Sequence, residues 1–143
     1  MNFELVEKNA ERLEQSLEKE ADEKQEKMRS LEAMQAAINR LEGDVELINQ
    51  VKAAQDRKIE EIVEIDVRLG ELTNTLEALE QLNTEDTYRQ VSDWQTIEAL
   101  QSAGENMSEA LAIIKQRQTK INENTNRLKE IRRKLEETAK DVR

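Results

Sequence analysis

The sequence predicts an all-α fold: an elongated antiparallel coiled-coil hairpin set in a larger helical bundle. Apolar residues recur at alternating spacings of three and four over most of the chain, which is the 3.5-residue period of a left-handed coiled coil. The 143 residues include no proline and three glycines, so few positions interrupt a helix. Three aromatic residues are too few for an ordinary globular core. We therefore expect one helical coiled-coil unit over residues 1–143.

The first predicted element is a single long helix over residues 1–82. The apolar seam keeps its phase across Gly43 and Gly70, so both glycines are interpreted as weak points in an unbroken helix. A bend at residues 42–44 is the alternative. Over residues 59–80 the apolar stripe widens to about three positions per heptad, which predicts contact with more than one neighbouring helix.

The second predicted element, residues 83–105, is a turn followed by a short helix. The regular apolar pattern stops after Leu82, and Asn83 and Thr84 are residue types that cap the start of a helix. We therefore expect the chain to reverse near residues 81–86. The short helix should end near Gly104, because glycine readily adopts the left-handed conformation that terminates helices.

The third predicted element is a long helix over residues 106–143, in which the heptad pattern returns. Residues 115–143 carry five more basic than acidic residues, whereas residues 1–80 carry ten more acidic than basic ones. Opposite charges beside an apolar seam favour pairing of these two helices. In the hairpin, the C-terminus then ends beside a polar interruption of the first seam. That interruption consists of Glu20, Lys24 and Lys27.

Two apolar stripes are predicted to bind a protein partner. The hairpin leaves the stripe near the N-terminus without an intramolecular neighbour, and the wide stripe over residues 59–80 exceeds what a two-stranded seam needs. A frayed N-terminal segment is the alternative for the first stripe. The predicted partner-binding residues are Phe3, Val6, Ala10, Leu13, Leu17, Ile62, Ile65, Leu69, Leu72, Leu76 and Leu79.

Four polar residues fall at positions that the predicted seam would bury. Polar residues at such positions weaken packing but select one register over others. We expect them to determine specificity rather than stability. They are Lys52, Gln55, Gln118 and Arg132.

The composition argues against catalysis and against most small ligands. The chain has no histidine and no cysteine, which removes the commonest general base, the thiol nucleophile and the usual transition-metal ligands. We predict no catalytic residue, no cofactor, no metal site and no small-molecule substrate. The net charge of −10 argues against nucleic acid as the main ligand. Nothing in the chain resembles a membrane span or a signal peptide, so we expect a soluble cytoplasmic protein that does not act at a membrane.

These observations predict a non-enzymatic coiled-coil protein that acts as a subunit, adaptor or scaffold of a larger protein assembly. Its partners would be proteins held by coiled-coil contacts, in a homo-oligomer or a hetero-oligomer. The alternatives are a secretion-apparatus accessory or chaperone-like hairpin that holds an exported client, and a phage-type assembly scaffold.

Overall fold

The computed structural model describes residues 1–140 and contains three helices. They are α1 (Phe3–Arg40), α2 (Val45–Ser102) and α3 (Ser108–Lys140), and the described residues contain no strand. The predicted all-α class is therefore confirmed. The last three residues of the predicted third helix, 141–143, lie outside the described residues.

The predicted long helix over residues 1–82 is wrong, because the chain turns at residues 41–44. Gly43 has a φ of 77°, in the left-handed region, and the Asp44 side chain accepts a hydrogen bond from the Leu47 amide at 3.2 Å as the N-cap of α2. The bend considered as an alternative is therefore present. Val45 keeps the spacing of the apolar seam across Gly43, but its side chain is 67% exposed. The agreement in spacing therefore does not reflect burial in a continuous helix.

The predicted turn near residues 81–86 and the short helix over 83–105 are also wrong, because α2 is continuous there. Thr84 and Thr87 do not cap a new helix, since their hydroxyls donate to the carbonyls four residues earlier, at 2.9 and 3.0 Å. Asn83 and Asp86 are buried and hydrogen-bonded to neighbouring helices. The polar residues after Leu82 thus form part of a buried polar layer within a continuous helix, and the chain does not reverse there.

The end of the second element near Gly104 is confirmed. Gly104 has a φ of 88°, and its amide donates to the Gln101 carbonyl at 3.0 Å. At the start of α3, the Asn106 side chain accepts a hydrogen bond from the Ser108 amide at 3.2 Å. This loop provides the reversal that was expected some twenty residues earlier.

All three helices pack against one another, and α2 runs antiparallel to both partners. Lys27 of α1 pairs with Glu61 of α2, while Asn2, near the start of the chain, reaches Asp86. Further along α2, Gln90 donates to the Ile114 carbonyl of α3. With about 1.5 Å per residue, α2 is roughly 87 Å long and exceeds both other helices. Consequently α1 and α3 overlap along only part of its length, where they run parallel.

This three-helix section contains the main hydrophobic core. The spacings of three and four that predicted a coiled coil place one apolar stripe of each helix in it. Burying each such side chain contributes about 1.5–3 kcal/mol. The clustered residues are Val6, Ala10, Leu13 and Leu17 of α1, Ile65, Leu69, Leu76 and Leu79 of α2, and Leu128, Ile131 and Leu135 of α3.

At each end of this section, α2 continues with only one partner. The Gly43 arm consists of residues 25–40 of α1 and 45–61 of α2, and the Gly104 arm of residues 87–102 of α2 and 108–120 of α3. None of residues 25–61 is fully buried. A two-helix pair leaves one side of each seam open, so the arms are the less buried parts of the described chain.

The two glycines give a test of the helix break. Gly43→Ala should lower the free energy of unfolding by about 1 kcal/mol, because alanine is strained at a φ of 77°. Gly70→Ala should raise it by about 0.5–1 kcal/mol, because Gly70 is helical with open space around the added methyl. Urea unfolding followed by circular dichroism measures both values. A single unbroken helix would instead be stabilised by both substitutions, and that result would contradict the break.

Candidate functional site

The structure places the predicted partner-binding residues mainly inside the molecule. Eight of the eleven belong to the core of the three-helix section, Leu72 packs against that core, Ile62 is buried and Phe3 is half-buried. The N-terminal stripe was expected to lack a neighbour because the hairpin turn was placed near residues 81–86. With the turns at Gly43 and Gly104, α2 and α3 cover that stripe. In this fold these side chains are therefore not open to a second chain.

The four predicted register residues divide into two groups. Lys52 and Gln118 are exposed, so they do not occupy a seam. Gln55 donates to Gln35 of α1 at 3.2 Å. Arg132 forms an ion pair with Glu80 at the edge of the α2–α3 interface, while its neighbour Ile131 occupies the core. In α3, the residue that faces the core is therefore Ile131 and not the predicted Arg132, because α3 packs against two helices.

A buried polar layer surrounds the start of α1. Asp86 of α2 is fully buried, and one carboxylate oxygen accepts the backbone N–H of Asn2 at 2.7 Å. Asn2 precedes α1, and its own side chain makes no cap hydrogen bond. Asp86 therefore acts as an N-terminal cap supplied by another helix, with its negative charge at the positive end of the α1 dipole.

Amide side chains complete this layer and connect all three helices. Asn124 of α3 donates to the Phe3 carbonyl at 2.9 Å, and Asn83 of α2 donates to the Thr125 hydroxyl at 2.8 Å. Gln90 donates to the Ile114 carbonyl at 2.7 Å. These bonds depend on one alignment of the helices, so the layer selects a register as polar residues in coiled coils do.

A second buried charge lies at the other end of the three-helix section. Lys24 of α1 is 1% exposed, and its ammonium group donates to Asp66 of α2 at 3.0 Å and to the Thr138 carbonyl of α3. Thr138 lies in the last turn of α3 as described, and its carbonyl oxygen carries partial negative charge. Lys24 therefore links α1 to both other helices, with its positive charge beside that turn of α3.

Each of the three helix interfaces also has a glutamate–arginine pair at its edge. In all three pairs, the hydrogen bond to the carboxylate is the main cause that raises the pKa of the arginine above its ordinary value. The three arginines are partly exposed, although Glu20 is buried, so the pairs contribute more to alignment than to stability. They join Glu20 to Arg68, Glu14 to Arg127, and Glu80 to Arg132.

The Gly43 arm has one comparable ionic contact and an exposed apolar surface. Glu61 accepts hydrogen bonds from Lys27 at 3.0 Å, and Lys58 lies 3.2 Å away. The Lys27 hydrogen bond, followed by that of Lys58, lowers the pKa of Glu61. Ile59 and Leu47 are 48% and 42% exposed on the same arm. This arm therefore offers apolar area that the chain itself does not cover.

The Gly104 arm contains a better-defined groove between α2 and α3. Its volume is about 300 Å³, and its walls include Ile97 and Ile114, which are buried, and Ile113, which is 49% exposed. Asp93 and Arg117 supply polar rims. Two of its lining residues, Asp93 and Arg117, lie two helical turns from Asp86 and Asn124, respectively, which contact the start of α1. The groove therefore continues the face of the α2–α3 pair that α1 covers, and it lies just beyond the first residues of α1. It is thus a shallow, partly apolar surface between α2 and α3.

Sequence reasoning missed the roles of Asp86 and Lys24. A signal for the first was present, since Asn83, Asp86 and Gln90 continue the spacing of three and four set by Leu76 and Leu79. Polar residues that remain in phase indicate a polar layer of the same helix. The polar interruption at Lys24 was predicted to lie beside the C-terminal part of the third helix, and Lys24 does contact Thr138 of α3. The predicted antiparallel pairing is wrong, however, because α3 runs parallel to α1 there.

Comparison with protein-family models, with curated proteins and with solved structures finds no significant match to this chain. Across residues 1–140, no helix combines the length and apolar character required to cross a membrane. The same residues contain no cluster of acidic side chains arranged to hold a metal ion.

Asp86→Ala should lower the free energy of unfolding by about 1–2 kcal/mol, because it removes the cap of α1 and leaves the Asn2 amide without its acceptor. Hydrogen exchange should accelerate first in the opening turn of α1. Glu85→Ala is the matched control, since Glu85 is the exposed neighbour and should change stability by less than about 0.5 kcal/mol. Equal effects of the two substitutions would contradict the capping role.

Lys24→Ala should lower the free energy of unfolding by about 2 kcal/mol, because it removes charged hydrogen bonds to both neighbouring helices. Exchange should also increase in the last turn of α3. Lys19→Ala, at an exposed position of α1, is the control and should have little effect. Chemical unfolding and exchange measured by mass spectrometry would test both points. Unchanged protection of α3 in the Lys24 variant would show that Lys24 does not stabilise that turn.

Proposed function

We propose that this chain is a non-enzymatic structural protein that joins a larger protein assembly through its two arms. The observation that carries the proposal is the mismatch in helix length. Among the described residues, α2 extends past α1 at one end and past α3 at the other, so no described helix covers either arm in the way that the central core is covered. Apolar surface left open in this way is typical of a protein interface.

The distribution of burial supports a division between a self-sufficient section and binding sections. The central stripes are closed by the described helices themselves, and the buried charges of Asp86 and Lys24 link α1 to its neighbours. The arms have no such closure, and Ile59 and Ile113 are each about half exposed. The central section would thus act as a rigid spacer that presents the two arms. This is the role expected of an adaptor or scaffold subunit.

Site-specific photocrosslinking in the cells that make the protein tests this function. A photoreactive amino acid placed at Ile113 samples the Gly104 arm, and one placed at Ile59 samples the Gly43 arm. Ser16, an exposed residue of α1 in the three-helix section, is the control position. We expect discrete crosslinked species of higher mass from the arm positions, several-fold above the yield from Ser16.

The mass of each crosslinked species identifies the occupant, either a second copy of this chain or a different protein. Both results support an interaction role and separate a homo-oligomer from a hetero-oligomer. Yields from Ile113 and Ile59 that do not exceed the yield from Ser16 would contradict the proposed function. Circular dichroism of each purified variant verifies that the probe has left the helices intact.

A further inference from the structure

We infer that the Gly104 arm binds the same arm of a second copy, in antiparallel orientation, to form a four-helix bundle. This inference rests on the proposed interaction function and names the occupant of one surface. The groove that the second copy fills contains Ile97 and Ile114 at its floor and Ile113 at its edge. Leu100, which is 38% exposed, follows Ile97 by one helical turn and extends the apolar surface toward the loop.

The charges along the arm identify the occupant. The outer half, residues 95–112 around the Gly104 loop, contains Glu98, Glu105 and Glu109 and no basic residue. The inner half of α3, residues 113–120, contains three basic residues and no acidic one. The basic residues are Lys115, Arg117 and Lys120. On the facing part of α2, Arg89 and Asp93 balance each other. The arm therefore has an acidic outer half and a basic inner half.

The ion pairs of the described residues lie outside the Gly104 arm. Within residues 1–140, the ion pairs join residues of α1, of α2 up to Glu80 and of α3 from Arg127 onward. None involves a charged residue of the Gly104 arm. Lys120 lies over the Phe3 ring at 5.9 Å, a contact that leaves its charge uncompensated. The charges of the arm are thus free to pair with another molecule.

Antiparallel pairing of two identical arms brings each acidic outer half against a basic inner half. Glu109 of each copy then lies near Arg117 of the other, so a twofold axis produces the same favourable contact twice. Parallel pairing would place like charges together. The arm has four acidic and four basic residues over 87–120, so self-association there avoids the repulsion expected from the net charge of −10. Each helix of the arm is roughly 20 Å long, which suits a weak, concentration-dependent dimer.

Sedimentation velocity over a range of concentrations tests this inference on the full chain. Glu109→Lys and Arg117→Glu should each weaken self-association by about tenfold, because each changes two equivalent contacts. An equimolar mixture of the two variants should regain an association within about threefold of the unsubstituted protein. In the mixed dimer, both pairs again join opposite charges. High salt should weaken the original dimer.

Ile113→Asp tests the groove without removing a fully buried residue. It should abolish the dimer, because a carboxylate would lie in the apolar contact. Val91→Asp is the matched control, since Val91 has the similar exposure of 51% and does not line the groove. It should leave association unchanged. Circular dichroism of every variant verifies the fold.

Three results would overturn the inference: a monomer at all concentrations, a dimer that Ile113→Asp leaves intact, or no recovery in the mixture of charge variants. The first two leave the proposed function standing if Ile113 or Ile59 still crosslinks to a different protein in cells. If dimerisation depends on Ile113 but the mixture does not recover, the groove is an interface of another orientation.

Discussion

The structure depends on two buried charges that join neighbouring helices at opposite ends of the three-helix section. A helix terminus leaves several backbone groups without intrahelical partners, and burying such a terminus is costly unless a side chain satisfies it. Here Asp86 of α2 accepts the Asn2 amide at the start of α1, and Lys24 of α1 donates to the Thr138 carbonyl in the last described turn of α3. Both charges match the helix dipoles that they meet. These two contacts fix how α1 aligns with α2 and α3 at the two ends of the three-helix section.

The polar contacts also provide what the apolar core lacks, a unique alignment. A core of leucine, isoleucine and valine at spacings of three and four repeats itself every heptad, so it tolerates displacement of one helix by seven residues. The buried amides of Asn83, Gln90 and Asn124 do not repeat in this way, and each has a named acceptor in a neighbouring helix. Apolar burial therefore supplies most of the stability, while the polar layers specify the register.

The sequence was sufficient for the helical class, for most apolar positions of the central core and for the end of a helix near Gly104, because these follow from local periodicity and from glycine's conformational freedom. The break at Gly43 was considered but not preferred, since Leu41 and Val45 kept the phase of the seam across it. The supposed turn at Asn83 and Asp86 was wrong because residue types that cap helices also serve in buried polar layers. A capping residue and a residue of a buried polar layer differ only in whether a neighbouring helix supplies a partner, as Asn2 and Thr125 do here. The predicted positions of the neighbouring helices were wrong because the turn was misplaced. The partner-binding residues were predicted from the same misplaced turn, and the structure places most of them in the central core.

The polar layer around Asp86 also explains why the Gly104 groove remains open to another molecule. If α1 moved by one heptad toward the Gly104 loop, its apolar stripe would cover Ile113 and close the groove. That displacement would remove the Asn2 amide from the buried Asp86 carboxylate and would separate Lys24 from Asp66 and Thr138. Each orphaned polar group costs about 1–3 kcal/mol, and a buried charge costs more. Burying the half-exposed Ile113 side chain would return at most about 1–2 kcal/mol. The balance keeps α1 in place, so the same charges that align the central section leave the apolar groove at its end uncovered.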